Sequence, residues 1–216
     1  MKKILFITTL FACLLTPVYA QSSFDLTDEV KEQIIARIKD KLNDFQEFLG
    51  EMANKKFPQQ TRQKAYESSI ILFIGECEPY EVSDITTGRV ERKKAVEMET
   101  SSVNSNYIKR QLMKLYFLNI LNNRIYSNIK IEQADAVRVD NLRKVGEGRY
   151  EAVAHICQYF VGYNDNGYLK YGDKTEKAVK VYVNYKEIPT STGTDSIFDI
   201  KLGNMKVLST ERIQTR

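Results

Sequence analysis

Residues 127–213 carry the pattern that most narrows the fold. Four long extended segments follow one another with no helical stretch between them: "SNIKIEQADAVRVDNL", "RYEAVAHICQYFVGY", "DKTEKAVKVYVNY" and "SIFDIKLGNMKVLSTERI". The joints are "KVGEG", "NDNG" and "EIPTSTGTD", and the Asn/Asp–Gly pairing in the second is a strong hairpin signal. Successive hairpins build an antiparallel sheet. In the third segment Val179, Val181, Val183 and Tyr185 share one face, and Lys180, Tyr182 and Asn184 the other. That sheet needs a cover on its apolar side, and only residues before 127 can supply it within the chain.

Those residues read as helices. "LTDEVKEQIIARIKDKLNDFQEFLGEM" places Val30, Ile34, Ile35, Ile38, Leu42, Phe45, Phe48, Leu49 and Met52 on one stripe, with Thr27 as N-cap and an exit at Asn54 and Pro58. A second helix starts near Pro58, ends in the apolar run "IILFI" and stops at Gly75. "CEPYEVSD" and "RVERKKAVEMETSSV" read as two strands joined at "ITTG", and "SSVNSN" as the cap of a third helix, "YIKRQLMKLYFLNIL". Helices followed by consecutive hairpins argue for one α+β domain over residues 21–216, its N-terminal helices packed on a curved antiparallel sheet.

The first 20 residues stand apart. Lys2 and Lys3 precede an apolar run from Ile4 to Leu15, and Val18-Tyr19-Ala20 offers small residues at the −3 and −1 positions of a cleavage site. This predicts a secretory signal peptide and an exported protein, periplasmic or secreted. A rival reading makes Cys13 a lipid-modified cysteine. Bulky Phe11 and the continuing apolar run argue against it. No other run is long and apolar enough to span a bilayer. Loss of Lys2 and Lys3 lowers the net charge from +4 to +2. That charge, interleaved as in "VERKKAVEME", excludes a nucleic-acid-binding surface. The mature chain would keep two cysteines, Cys77 and Cys157, which export permits to pair and which otherwise act as small apolar residues. With one histidine, no zinc-ligand pattern can be built. No cofactor is expected.

The order helix, helix, strand hairpin, helix, four antiparallel strands resembles the nuclear-transport-factor-2-like superfamily, the cone-shaped fold shared with ketosteroid isomerase. The resemblance covers most of residues 24–213. The stretches "LFIGECEPYEV", "METSSVNS", "GRYEAVAHICQYFVGY" and "KVYVNYKE" are also similar to small exported proteins of Bacteroidetes. The resemblance implies a tapered cavity between sheet and helices, and often a homodimer through the outer sheet face. It brings no catalytic motif that maps onto these residues.

Candidate residues follow from strand periodicity. His155 and Cys157 lie two apart on one strand, so their side chains run parallel and converge poorly as a nucleophile–base pair. They share a face with Val153, Tyr159 and Val161, while Ala152, Ala154, Ile156 and Phe160 take the other. Both faces are largely apolar. Val153, Cys157, Tyr159 and Val161 are therefore candidates for an interface, with a second copy or an envelope protein as partner. On the preceding strand Ile129, Ile131, Gln133, Asp135, Val137 and Val139 fall on one face. Gln133 and Asp135 interrupt it, as the wall of a ligand pocket would. A desolvated Asp135 would have a raised pKa and suit a general base. A β-bulge near Ala134 would instead turn it outward, and Arg138 or a backbone donor would satisfy it if buried. Tyr66, Tyr116 and Tyr159 could supply hydroxyls to the same cavity. "GYNDNGYLKYGD" has too few carboxylates for a calcium loop and reads as a hairpin tip. The expected role is a non-catalytic binding protein with a small-molecule ligand or envelope partner. The alternative is a cone-pocket enzyme for proton transfer or hydrolysis with Asp135 as base.

Overall fold

The computed structural model describes residues 26–83, 87–190 and 193–213. The predicted signal peptide lies outside them. Helix α1 (Asp28–Ala53) opens on Thr27, whose hydroxyl accepts from Val30 N–H at 3.3 Å. Asp28 and Glu29 sit at the positive end of the helix dipole. Its stripe of Ile34, Ile38, Leu42, Phe45, Leu49 and Met52 is fully buried. Helix α2 (Gln59–Ile71) follows, then a short 3₁₀ turn, Ile74–Cys77. The predicted helix to Gly75 ends four residues early. Leu72 and Phe73 leave it to meet strand Gly193–Arg212, where Leu202 N–H donates to Leu72 O at 2.9 Å.

Strands β1 (Tyr80–Ser83) and β2 (Val90–Lys93) form a small separate hairpin. Strands β3 (Glu97–Ser102) and β4 (Ser105–Leu112) form a second, and α3 is only Met113–Leu121. Two expectations are corrected here. The strand predicted across residues 89–103 is two strands, β2 and β3. The first part of the predicted third helix is β4, because "SSVNSN" makes a hairpin turn rather than a cap. The remaining strands are β5 (Asn128–Gly146), β6 (Arg149–Tyr163), β7 (Leu169–Thr190) and β8 (Gly193–Arg212).

These strands and β3–β4 form one curved six-stranded sheet in the order β4-β3-β8-β7-β6-β5. All its neighbours run antiparallel except β3 and β8, which pair in parallel through Met98 and Met205, so the sheet is mixed. Register shifts along the β5–β6 and β7–β8 pairs, with the extra residues at Ala134 of β5 and Leu208 of β8 among them, bend the long hairpins. Two turns need glycine. Gly148 adopts φ +59° with Tyr185 O only 2.5 Å from where a Cβ would sit, and Gly167 of "NDNG" adopts φ +77°.

One hydrophobic core joins the helices to the concave face of the sheet. Phe117 is its aromatic hub, in edge or tilted contact with Phe45, Tyr66, Phe73 and Tyr116. The buried Arg62 ties two helix ends together, donating from Nε to Met52 O at 2.8 Å and from its guanidinium to Leu121 O. Among the described residues no helix is long and apolar enough to cross a membrane. Truncating the hub leaves a cavity touching all three helices. Phe117→Ala is expected to lower unfolding stability by about 3–5 kcal/mol in urea denaturation, whereas a loss under about 1 kcal/mol would contradict this packing.

Candidate functional site

The inward row of β7 changes character halfway along. From Tyr185 back to Val179 it is apolar and packs into the core. From Lys177 back it is polar: Lys177, Thr175 and Asp173 are buried on the same face, with Tyr171 half-buried beyond them. Register sets their neighbours. Lys177 pairs with Ile156, Thr175 with Gln158 and Asp173 with Phe160 on β6, while Thr175 pairs with Thr210 on β8.

These side chains border a cavity of about 290 Å³, near the lower end of small-molecule pockets. Tyr116 of α3, Tyr126 of the following loop, Phe160 of β6 and Tyr171 give it aromatic walls. Thr100, Ser101 and Ser102 of β3 close another side, and the exposed Asn104 of the β3–β4 turn stands at its rim. Tyr126 and Tyr171 each meet Phe160 edge-on, at 5.8 and 6.0 Å between ring centres.

Two ionisable groups sit in this setting. Burial raises the Asp173 carboxyl above its ordinary value, opposed by its hydrogen bonds and by Lys177. The Tyr171 hydroxyl donates to Asp173 Oδ2, lies 3.0 Å from the Ser102 hydroxyl, and accepts from Val103 N–H at 3.2 Å. Thr175 donates to the other carboxylate oxygen at 3.3 Å. Burial pushes the Lys177 ammonium down to about 8, against the attraction of Asp173. Lys177 Nζ donates to Gln158 Oε1 at 2.7 Å, and the Gln158 Nε2 behind it is buried with no partner. Among the described residues, no ion pair within 4.0 Å joins Lys177 to Asp173. Burial also raises the Tyr116 hydroxyl. Two buried ionisable groups that do not close on each other are costly to the fold, and each keeps hydrogen-bonding capacity beyond its protein partners.

The sequence-predicted pocket residues divide. Tyr116 reaches the cavity. Tyr66 does not: it is core, with its ring edge-on to Phe117 at 6.5 Å. Asp135 is corrected outright. Gln133 pairs with Gln158 but Asp135 with Cys157, so Ala134 is an extra residue that bulges β5 and turns Asp135 to the outer face. There it is exposed and 3.0 Å from Lys174 Nζ. The hydrogen bond from Lys174, then that from Cys157, lowers its pKa, the reverse of a desolvated base. Gln133 is exposed on the edge strand, with Nε2 donating to Asp135 O at 2.8 Å.

Val153, Cys157, Tyr159 and Val161 share the outer face, each half-buried, so Tyr159 does not reach the cavity as a pocket hydroxyl. Their setting is more polar than β6 alone indicates. Lys174 stands 5.9 Å from the Tyr159 ring centre, and His155 lies 3.4 Å from Asp140 and 3.7 Å from Glu176. Burial raises the Cys157 thiol, which disfavours a thiolate nucleophile. Both Cys77 and Cys157 are free thiols. A larger cleft of about 770 Å³ lies beside the β1–β2 hairpin, where Lys180 pairs with Glu151 at 2.9 Å and Lys201 donates to Ile71 O at 2.9 Å.

Sequence reasoning missed Asp173, Thr175 and Lys177. The signal was present: the two-residue period that buries Val179 runs back through 177, 175, 173 and 171.

Neither a protein-family model nor a curated protein matches the chain. A solved structure with a similar chain course is a provisionally assigned scytalone dehydratase from Novosphingobium aromaticivorans. It is 10% identical, with a TM-score of 0.42, over 88% of this chain and 94% of that one. At that level the likeness leaves the chemistry to be argued from this chain's own residues, and it lends nothing to the Bacteroidetes resemblance.

The lowered Lys177 pKa has a measurable consequence. Between about pH 8 and pH 10.5 the unfolded chain binds more protons at this lysine than the folded one, so its contribution to stability rises with pH. Below pH 8 both states are charged, and the burial cost is carried in full. Relative to Lys177→Met, the wild type should gain about 1–3 kcal/mol between pH 7.5 and pH 10 in urea titrations. Equal pH slopes would contradict the burial of a titrating lysine.

Proposed function

We propose that this is an exported protein that holds a small planar organic molecule in the cavity between α3 and the sheet. The observation that carries this reading is the buried, unclosed polar row Asp173–Thr175–Lys177. A chain selected for stability alone would continue the valine row of β7, since replacing buried charges with apolar residues is often neutral or stabilising. Rings at Tyr116, Tyr126, Phe160 and Tyr171 suit a flat apolar body, and the polar row suits one or two hydroxyl or carbonyl groups on it. Export rests on the Lys2 to Ala20 segment. The cone-fold resemblance rests on the order of elements and the curved sheet, and a cavity at this place is what such a fold provides.

A proton-transfer enzyme is the second reading. Asp173 now takes the role first considered for Asp135, because it is buried, raised in pKa and coupled to the Tyr171 hydroxyl. Either reading requires occupancy. 4-Hydroxybenzyl alcohol is a suitable neutral probe by calorimetry. Saturable one-to-one binding is expected, lost in a folded Thr175→Trp variant whose indole fills the cavity. No binding to the wild type, or equal binding to both, would contradict the pocket.

For the outer face we propose a second copy of the chain as partner, seated on Val153, Tyr159 and Val161. Light scattering should then give a dimer mass for the wild type and a monomer mass for Val153→Glu. A monomeric wild type would remove this proposal without touching the pocket.

A further inference from the structure

The cavity wall holds a primary amine and an acid on one strand face, two residues either side of Thr175. Lys177 Nζ has a single hydrogen-bond partner among the described residues, Gln158 Oε1 at 2.7 Å, which anchors the ammonium and leaves its other positions toward the cavity. Asp173 borders the same space and carries its own proton carrier in the Tyr171 hydroxyl. Burial drives both groups toward their neutral forms, so a proton can leave the amine for the carboxylate within the site. A carboxylate ligand is disfavoured because Asp173 shares the wall. A neutral electrophile is not.

We propose that Lys177 is a carbonyl-capturing amine, whose Nζ condenses reversibly with the aldehyde or ketone group of a small planar molecule seated between the aromatic walls. This rests on the pocket reading above and names its substrate class. The neutral amine attacks the carbonyl carbon. The new C–N bond forms as the C=O π pair moves to oxygen, which takes a proton from the Asp173 carboxyl. One nitrogen proton passes to the Asp173 carboxylate, the hydroxyl takes a proton back from it as the nitrogen lone pair expels water and the C–O bond breaks, and the remaining iminium N–H proton returns to the Asp173 carboxylate. Amine plus carbonyl gives imine plus water, with no oxidant or reductant required. Hydrolysis by the reverse path frees Lys177. A desolvated lysine beside a proton donor is the arrangement such chemistry needs.

The test pairs 4-hydroxybenzaldehyde with 4-hydroxybenzyl alcohol, which has the same ring but no carbonyl. The full chain is incubated with the aldehyde and sodium cyanoborohydride, and adducts are located by peptide mass spectrometry. Lys177 should be labelled at least tenfold faster than an exposed lysine such as Lys109, with protection by excess alcohol. Lys177→Arg keeps the cation and should carry no adduct at that position. Asp173→Asn should slow labelling of Lys177 about tenfold and leave Lys109 unchanged. If the alcohol binds but Lys177 is labelled no faster than Lys109, carbonyl capture is overturned and the pocket stands. If the alcohol does not bind and Lys177 stays unlabelled, both fall together. Equal labelling of Lys177 in the wild type and Asp173→Asn would remove Asp173 from the mechanism.

Discussion

The structure turns on where the inward face of β7 changes from valine to charge. One strand, in one register between β6 and β8, supplies both halves of the interior. Val179, Val181, Val183 and Tyr185 seal against the helices, and Lys177, Thr175 and Asp173 continue the same row where the helices no longer fill the space. Because side chains alternate strictly along a strand, these polar groups could reach water only through a bulge beside Lys177 or a register slip, and β7 pairs with β6 without interruption from Tyr171 to Asn184. The core and the cavity are fixed by the same pairing.

The two aspartates show how completely environment overrides residue type. Asp135 and Asp173 lie on strands of the same sheet. Asp135, turned out by the bulge at Ala134 and paired with Lys174, is held below the ordinary carboxylate range. Asp173, turned in and stripped of water, is held above it despite three favourable contacts. Only the second is buried, with burial favouring its acid form and aromatic walls beside it. The lysines differ in the same way: hydrogen bonding to Asp135 raises Lys174, and burial lowers Lys177.

Much of this was legible in the residues. The stripe on α1, its Thr27 cap, the four long strands and the "NDNG" turn follow from period and turn chemistry, because each is decided by local rules. What local rules could not reach was pairing. Nothing local in "YIKRQL" marks β4 as a strand; its identity comes from partner β3, with which Leu112 pairs through Glu97. The parallel β3–β8 contact joins segments over a hundred residues apart. The bulge at Ala134 was foreseen as an alternative, but only the β6 register decides it. At the site, Tyr116 was found because a tyrosine on an apolar helix stands out. Asp173 and Lys177 were passed over because "DKTEK" reads as an ordinary charged strand entry until the valine period is extended into it.

A high-resolution crystal structure of the protein purified from the cells that make it would test the central claim most directly. The account predicts density for a small molecule in the cavity, within hydrogen-bond distance of Lys177 Nζ and Asp173 and flat between Tyr126 and Tyr116. A cavity closed by rearranged side chains, with Lys177 and Asp173 paired directly to each other, would contradict it. The polar row would then be a structural ion pair, and the function would lie on the outer surface.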